Sequence, residues 1–181
     1  DAVTVVVPAY NEAGRIASTV RELVESYRVV VVDDGSTDGT ASRARAEGAT
    51  VIEHTENQGY IAAVKRGFRA ASSDVVVTFD ADGEHRPREI PALVEPILTG
   101  EKDLVLGARR TIPRPSERLL NRLARVRVDV SDSGTGLRAL RRSLAVTLEL
   151  DTACTCGTLV LEAAANGARI GEVRTETRSV A

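Results

Sequence analysis

Apolar and polar residues fall into a repeating pattern over the first 110 positions. Short runs of β-branched residues end in polar, Gly-rich stretches, and each is followed by a segment with helical spacing. The runs are Val3 to Val7, Val29 to Val32, Thr50 to Glu53, Val75 to Phe79 and Leu104 to Leu106. They do not alternate apolar with polar, which is the pattern of strands covered on both faces, so parallel strands with crossover helices are predicted. Between them Ile16, Val20, Leu23, Val24 and Tyr27 share one helical face, with Asn11 available as its cap. Ile61, Val64, Phe68 and Ala71 make a second face, and Ile90, Leu93, Val94 and Ile97 a third behind Pro87 at a helix start. Gly48 and Gly100 stand where helices would stop. The expected fold class is α/β, an open, mostly parallel twisted sheet with helices on both faces.

The pattern weakens after Arg110. Thr111 to Glu117 carries two prolines, and Arg118 to Arg127 is basic and amphipathic, suited to a solvated helix or to contact with an anionic membrane surface. Order returns with a helix expected over Thr158 to Ala165, a stop at Gly167 and a strand over Arg169 to Val173. With 181 residues, 43% of them apolar, the chain can bury one core and is read as a single domain over 1–181. Residues 1–110 form its first half and 111–181 its second.

Net charge is −2 with both signs interspersed, which leaves no basic stripe for phosphate neutralisation and argues against nucleic acid as a partner. Cys154 and Cys156, one residue apart, suit neither a disulfide framework nor a zinc knuckle and read as small packing residues. No apolar run approaches the roughly 20 residues that span a bilayer, so a cytoplasmic location is expected, at a membrane surface if the basic segment docks there.

In an open parallel sheet, ligands bind beyond the carboxyl ends of the strands. Those ends are acidic here. Strand one runs into Pro8-Ala9-Tyr10-Asn11-Glu12, strand two into Asp33-Asp34-Gly35-Ser36, and strand four into Asp80-Ala81-Asp82-Gly83-Glu84-His85. Several carboxylates around one crevice repel one another unless a cation or a donor-rich ligand compensates. Asp33-Asp34-Gly-Ser could equally be a turn and helix cap. Asp80 and Asp82, offset by two with Glu84 following, can present hard oxygen ligands to Mg²⁺ or Mn²⁺ that also holds a diphosphate. His85 is either a further ligand or a neighbour bonding the loop. Tyr10 and Tyr60 could stack on a base, though Tyr60 also suits packing at a helix start.

Six motifs in this order resemble the family 2 glycosyltransferases of the GT-A fold. They are VPAYNE at 7–12, VVDDGSTDGT at 31–40, ENQG at 56–59, FDADGEHRP at 79–87, VLGARR at 105–110 and DSGTGLRALRRS at 132–143. Within the family the likeness is to the dolichol-phosphate mannose or glucose synthase group, through the Gly-x-Arg element and the Asp-Ser-Gly-Thr-Gly-Leu-Arg-Ala stretch. The resemblance implies that Pro8, Tyr10 and Glu12 line a base and ribose pocket, and that Asp34, with Asp33, accepts from the base. It makes Asp80 and Asp82 the family's Asp-x-Asp, with Asp82 the direct metal ligand. Glu84 stands where that group often has Gln, so its charge is a departure. Arg109 would face a diphosphate or an acceptor phosphate, Ala108 replacing the group's Ser. Asp132 and Arg138 match the acceptor-side loop, and Glu162 matches an acidic residue on the late helix.

The resemblance implies inverting transfer of a hexose from a UDP- or GDP-linked donor to a polyprenyl phosphate or a glycan. A sugar hydroxyl would need a general base, for which Asp132 is a candidate, whereas a phosphate acceptor is already anionic. The arginines at 109, 110, 138, 141 and 142 mildly favour the phosphate. Three rival readings exist. A dinucleotide-binding domain lacks Gly-x-Gly-x-x-Gly after strand one. A haloacid-dehalogenase-like phosphohydrolase shares Phe-Asp-x-Asp-Gly, but places that motif at its first strand. A non-catalytic sugar-nucleotide binding module would bind donor without transfer.

Overall fold

The computed structural model describes residues 2–109, 130–151 and 157–178. The basic segment from Arg118 to Arg127, the preceding Thr111 to Glu117, and Cys154 and Cys156 lie outside the described residues.

Seven strands form one sheet: β1 (Val3–Ala9), β2 (Arg28–Asp33), β3 (Thr50–Glu53), β4 (Val75–Thr78), β5 (Leu104–Arg109), β6 (Arg138–Arg141) and β7 (Ile170–Thr175). Their spatial order is β3-β2-β1-β4-β6-β5-β7. All neighbours are parallel except β6, which runs antiparallel to both β4 and β5. Among the described residues the α-helices are α1 (Ile16–Val24), α2 (Thr40–Ala46), α3 (Tyr60–Ala70), α4 (Ile90–Leu98), α5 (Arg142–Ala145) and α6 (Thr158–Ala165). The expected α/β sheet with two covered faces is what is found. The strand after α6 begins at Ile170 and runs on to Thr175, two residues beyond its expected end.

Strand alternation sorts the side chains between two cores. Val3, Val5 and Val7 of β1, with Val75 and Val77 of β4, pack on Ile16, Val20 and Leu23 of α1 and Ile90, Leu93 and Ile97 of α4. Val6 and Val76 point the other way, onto Ala63, Val64 and Phe68 of α3 and Leu159, Val160 and Ala163 of α6. Helix α3 lies so close to β1 that a Cβ built on Gly67 would stand 2.1 Å from Val6 Cγ1. Glycine there is a packing requirement.

One expected helix cap is corrected, and one strand was not expected. Asn11 does not cap α1, which starts after Arg15 without a side-chain cap. Asn11 instead adopts φ +55°, takes a hydrogen bond from Thr37 N on Oδ1 (2.9 Å) and donates its own N–H to Ser36 Oγ (2.8 Å), tying two loops together. Strand β6 carries no strand signature, because Arg138-Ala-Leu-Arg141 lacks the β-branched residues of the other runs. It pairs because its two neighbours leave a gap that its backbone fills.

Candidate donor-binding site

Strands β2, β1 and β4 are adjacent and parallel, so their carboxyl ends open on one edge of the sheet. A crevice of about 460 Å³ lies there, lined among others by Pro8, Tyr10, Glu12, Asp34, Asp80 and Asp82. That volume suits a nucleotide-sized ligand. These residues, all singled out from the sequence, are thus brought together, and Tyr60 lines the crevice with them. Asp33 and Glu84 are not among those lining it.

At the β2 end the two aspartates divide. Asp33 turns inward and accepts from the Ser36 hydroxyl, so its carboxylate serves the loop. Asp34, 3% exposed, accepts from Gln58 N (2.9 Å), Gly59 N (2.8 Å) and His54 Nδ1 (2.7 Å). It therefore fixes the loop that leads into α3, whose first residue is Tyr60. Gln58 and Gly59 belong to the ENQG motif at 56–59, whereas His54 carried no mark in the sequence.

Across the crevice, the alternation that puts Val76 and Thr78 on the α3 face carries Asp80 to the same side. Asp80 Oδ1 accepts from the Tyr60 hydroxyl at 3.0 Å. Its Oδ2 occupies the space over Gly136, where a Cβ would stand only 1.6 Å away. Burial pushes the Asp80 carboxyl upward, and the charge of Asp82 adds to that push. Tyr60 keeps 38% of its surface open. Its hydroxyl end is desolvated and next to Asp80, which drives the phenol well above its usual range. Glu12 is raised too, first by burial, with Asp82, Asp38 and Asp80 contributing against the opposing charge of Arg15. Tyr10 projects into the opening, 49% exposed.

These carboxylates repel one another, a repulsion that a bound divalent cation could offset. Among the described residues no three Asp, Glu, His or Cys groups close on one point to hold a metal alone. Mg²⁺ typically takes one or two carboxylates and completes its shell with substrate phosphates and water, so two carboxylates such as Asp80 and Asp82 could serve as its protein donors. Glu84 adds no third ligand in this arrangement. It supplies its N–H to Asp82 Oδ1 (2.9 Å) and its carbonyl to Arg178 N (2.8 Å). His85 is buried edge-on to Phe79, ring centroids 6.2 Å apart, and does not line the crevice.

Arg109 and Asp132 meet each other. Arg109 Nε and Nη2 reach the Asp132 carboxylate at 2.7 and 3.1 Å, and the Arg109 backbone N–H adds a third bond at 3.2 Å. Asp132 is fully buried. Glu172 of β7 then accepts from Ser131 N and Asp132 N, so the loop before β6 is held from two strands. The described geometry makes Asp132 an anchor of this loop rather than a free base, and Arg109 its partner. Glu162 takes the backbone N–H groups of Glu149 and Leu150, which locks Leu150 at φ +50°.

Comparison with known proteins gives the site a context. The chain matches the family model "Glycosyl transferase family 2" over residues 4–159. It is 33% identical over 174 residues to the dolichol-phosphate mannosyltransferase of Pyrococcus furiosus, covering 82% of this chain and 49% of that protein. It is 30% identical over 210 residues to the UDP-N-acetylglucosamine–dolichyl-phosphate N-acetylglucosaminyltransferase of Methanococcus voltae, covering 95% of this chain and 84% of that one. The chain spans about half the length of several of the relatives it matches. Among solved structures, glucosyl-3-phosphoglycerate synthase from Mycobacterium tuberculosis in complex with Mg²⁺ and UDP superposes with a TM-score of 0.84 at 28% identity, over 99% of this chain and 71% of that one. The seven-stranded sheet is accordingly a GT-A fold, and the chain belongs to glycosyl transferase family 2.

Proposed function

We propose that this chain is a catalytic domain transferring a hexose from a nucleoside-diphosphate sugar to a polyprenyl phosphate, with inversion and with a divalent metal, Mg²⁺ or Mn²⁺. The observation that carries the reading is the convergence of Asp34, Asp80, Asp82 and Glu12 with Tyr10 in one crevice at the carboxyl ends of β1, β2 and β4. Residues 1–110 supply this donor side and residues 111–181 the acceptor side. A uridine donor is favoured, since the solved relative holds UDP and the Methanococcus relative is named for a UDP-sugar. The polyprenyl acceptor is favoured by the names of the Pyrococcus and Methanococcus relatives.

Pro8 and Tyr10, which line the crevice, would cover base and ribose, with Glu12 and the Asp34-fixed loop at the edge. Asp80 and Asp82 would hold the metal, which when bound neutralises charge on the departing nucleoside diphosphate. The acceptor oxygen attacks the anomeric carbon as the bond to the diphosphate breaks, and a single displacement inverts that carbon. Asp132 is occupied by Arg109, which fits an acceptor that is already anionic and needs only positioning. No described helix is long and apolar enough to cross a membrane. Contact with a membrane surface would fall to the basic segment from Arg118 to Arg127.

The test is transfer from labelled UDP-glucose, UDP-N-acetylglucosamine and GDP-mannose to a polyprenyl phosphate in detergent, with Mn²⁺ and with chelator. Metal-dependent label in the lipid fraction from a UDP-sugar supports the reading. Label only in soluble glycans defeats the acceptor assignment. Metal-dependent nucleotide binding without any transfer makes the chain a binding module.

A further inference from the structure

Arg138 is the one Lys or Arg among the described residues that is fully buried, with 1% of its surface exposed. Its Nε and Nη1 hydrogens meet no acceptor. Buried guanidinium groups normally lie against carboxylates or carbonyls, because an uncompensated buried charge is costly. Something in its surroundings must justify its position.

The strand register shows what that is. On antiparallel β6, Arg138 stands opposite Thr78 of β4 and Leu106 of β5. Two residues along from Thr78 is Asp80, and two residues back from Arg138 is Gly136, whose missing side chain leaves the space that Asp80 Oδ2 occupies. Alternation puts Arg138 on the same face of the sheet as Asp80. Asp80, which accepts from the Tyr60 hydroxyl, shares this face with Arg138, and the Arg138 charge is felt at both groups. Arg138 does not line the crevice itself. It lies behind the wall that Tyr60 and Asp80 form, so it acts through them.

We propose that Arg138 is a positioning residue, a built-in cation that balances the Asp80 carboxylate when no divalent ion is bound and holds it where Tyr60 and Gly136 define its place. The acidic crevice thus stays open and ordered before the donor arrives with its metal. The placement of Arg138 stands on packing alone, and only the metal arm of the test rests on the donor-site reading above.

The experiment is a double-mutant cycle read by thermal melting in chelator, with wild type, Arg138→Met, Asp80→Asn and the double variant. Arg138→Met is expected to lower the melting temperature by roughly 5 °C or more. The same change on the Asp80→Asn background should cost less than half as much, since the charge it balances is gone. Equal losses on both backgrounds would make Arg138 a packing residue and overturn the proposal. Should Arg138→Met fail to fold, a double variant that folds supports the proposal and one that fails overturns it. Arg138→Lys should recover most of the loss. A second readout is the rise in melting temperature on adding Mn²⁺, expected to be larger in Arg138→Met than in wild type; an equal rise would contradict the balancing role. If wild type shows no Mn²⁺ response, the metal-site reading fails while the cycle in chelator still decides the role of Arg138.

Discussion

Replacing Gly136 with alanine puts a methyl group where the structure holds the Asp80 carboxylate. The added carbon would lie 1.6 Å from Oδ2, 2.3 Å from Cγ and 2.7 Å from Oδ1. All three are far inside contact distance, so the carboxylate must rotate away. That rotation breaks the bond from the Tyr60 hydroxyl to Oδ1 and moves one of the two acidic groups of the proposed metal site. Overpacking of this kind costs about 1–3 kcal/mol, and losing a hydrogen bond to a charged group adds about 1.5–3 kcal/mol. Because the carboxylate can find other partners in the open crevice, the lower part of the sum, about 2.5–4 kcal/mol, is the expectation. For a domain of this size that is a melting-temperature loss of roughly 5–16 °C. Gly14→Ala is the control, since nothing lies within 4 Å of a Cβ there. The assay is differential scanning calorimetry of both variants, followed by Mn²⁺-dependent nucleotide titration. The reasoning requires Gly136→Ala to lose both stability and metal-dependent binding, with Gly14→Ala unchanged. Wild-type behaviour of Gly136→Ala would mean that the Asp80 carboxylate does not lie over Gly136.

Two other changes test the supports of the acceptor side and of the sheet edge. Arg109→Met removes the partner of a fully buried Asp132 and should cost about 3–5 kcal/mol of unfolding free energy; denaturant titration reads it, and Arg109→Met with Asp132→Asn should recover part of the loss. Asp103 is held well below the usual carboxylate range, chiefly by its bonds from Arg169, with Arg141 assisting. A depressed carboxyl stabilises the fold above its ordinary value near about 4 and loses that contribution as pH falls towards the folded value. Asp103→Asn should therefore melt lower than wild type at pH 7, with the gap closing as pH is taken below about 4; a gap independent of pH would refute the linkage.

The part of the fold legible from sequence is the part governed by local pattern. Valine runs at 3–7, 29–32 and 75–78 can be satisfied only by strands covered on both faces, and the Ile90, Leu93, Val94 and Ile97 face can be satisfied only by a helix. The crevice was legible for the same reason, since parallel strands bring Tyr10, Asp34 and Asp80 to one edge. What escaped depends on long-range pairing. Strand β6 exists because β4 and β5 leave room for it, a fact with no trace in Arg-Ala-Leu-Arg. Asn11 reads as a helix cap by residue type, yet Thr37, 26 residues away, claims its side chain. Arg109 and Asp132 each read as groups awaiting substrate, because a sequence shows two charges but not that each is the other's partner. Asp33 is taken up by Ser36, and no spacing rule separates it from Asp34, which lines the crevice.

The central claim is that the crevice holds a nucleoside diphosphate through a metal at Asp80 and Asp82. Calorimetric titration of UDP and of GDP, each with Mn²⁺ and with chelator, on wild type and Asp82→Ala, tests it directly. Removing one carboxylate from a repulsive cluster should leave the fold intact. The account expects UDP to bind wild type only when Mn²⁺ is present, and Asp82→Ala to lose that binding while keeping the wild-type melting temperature. Unchanged binding in Asp82→Ala, or UDP binding that ignores the chelator, would contradict it.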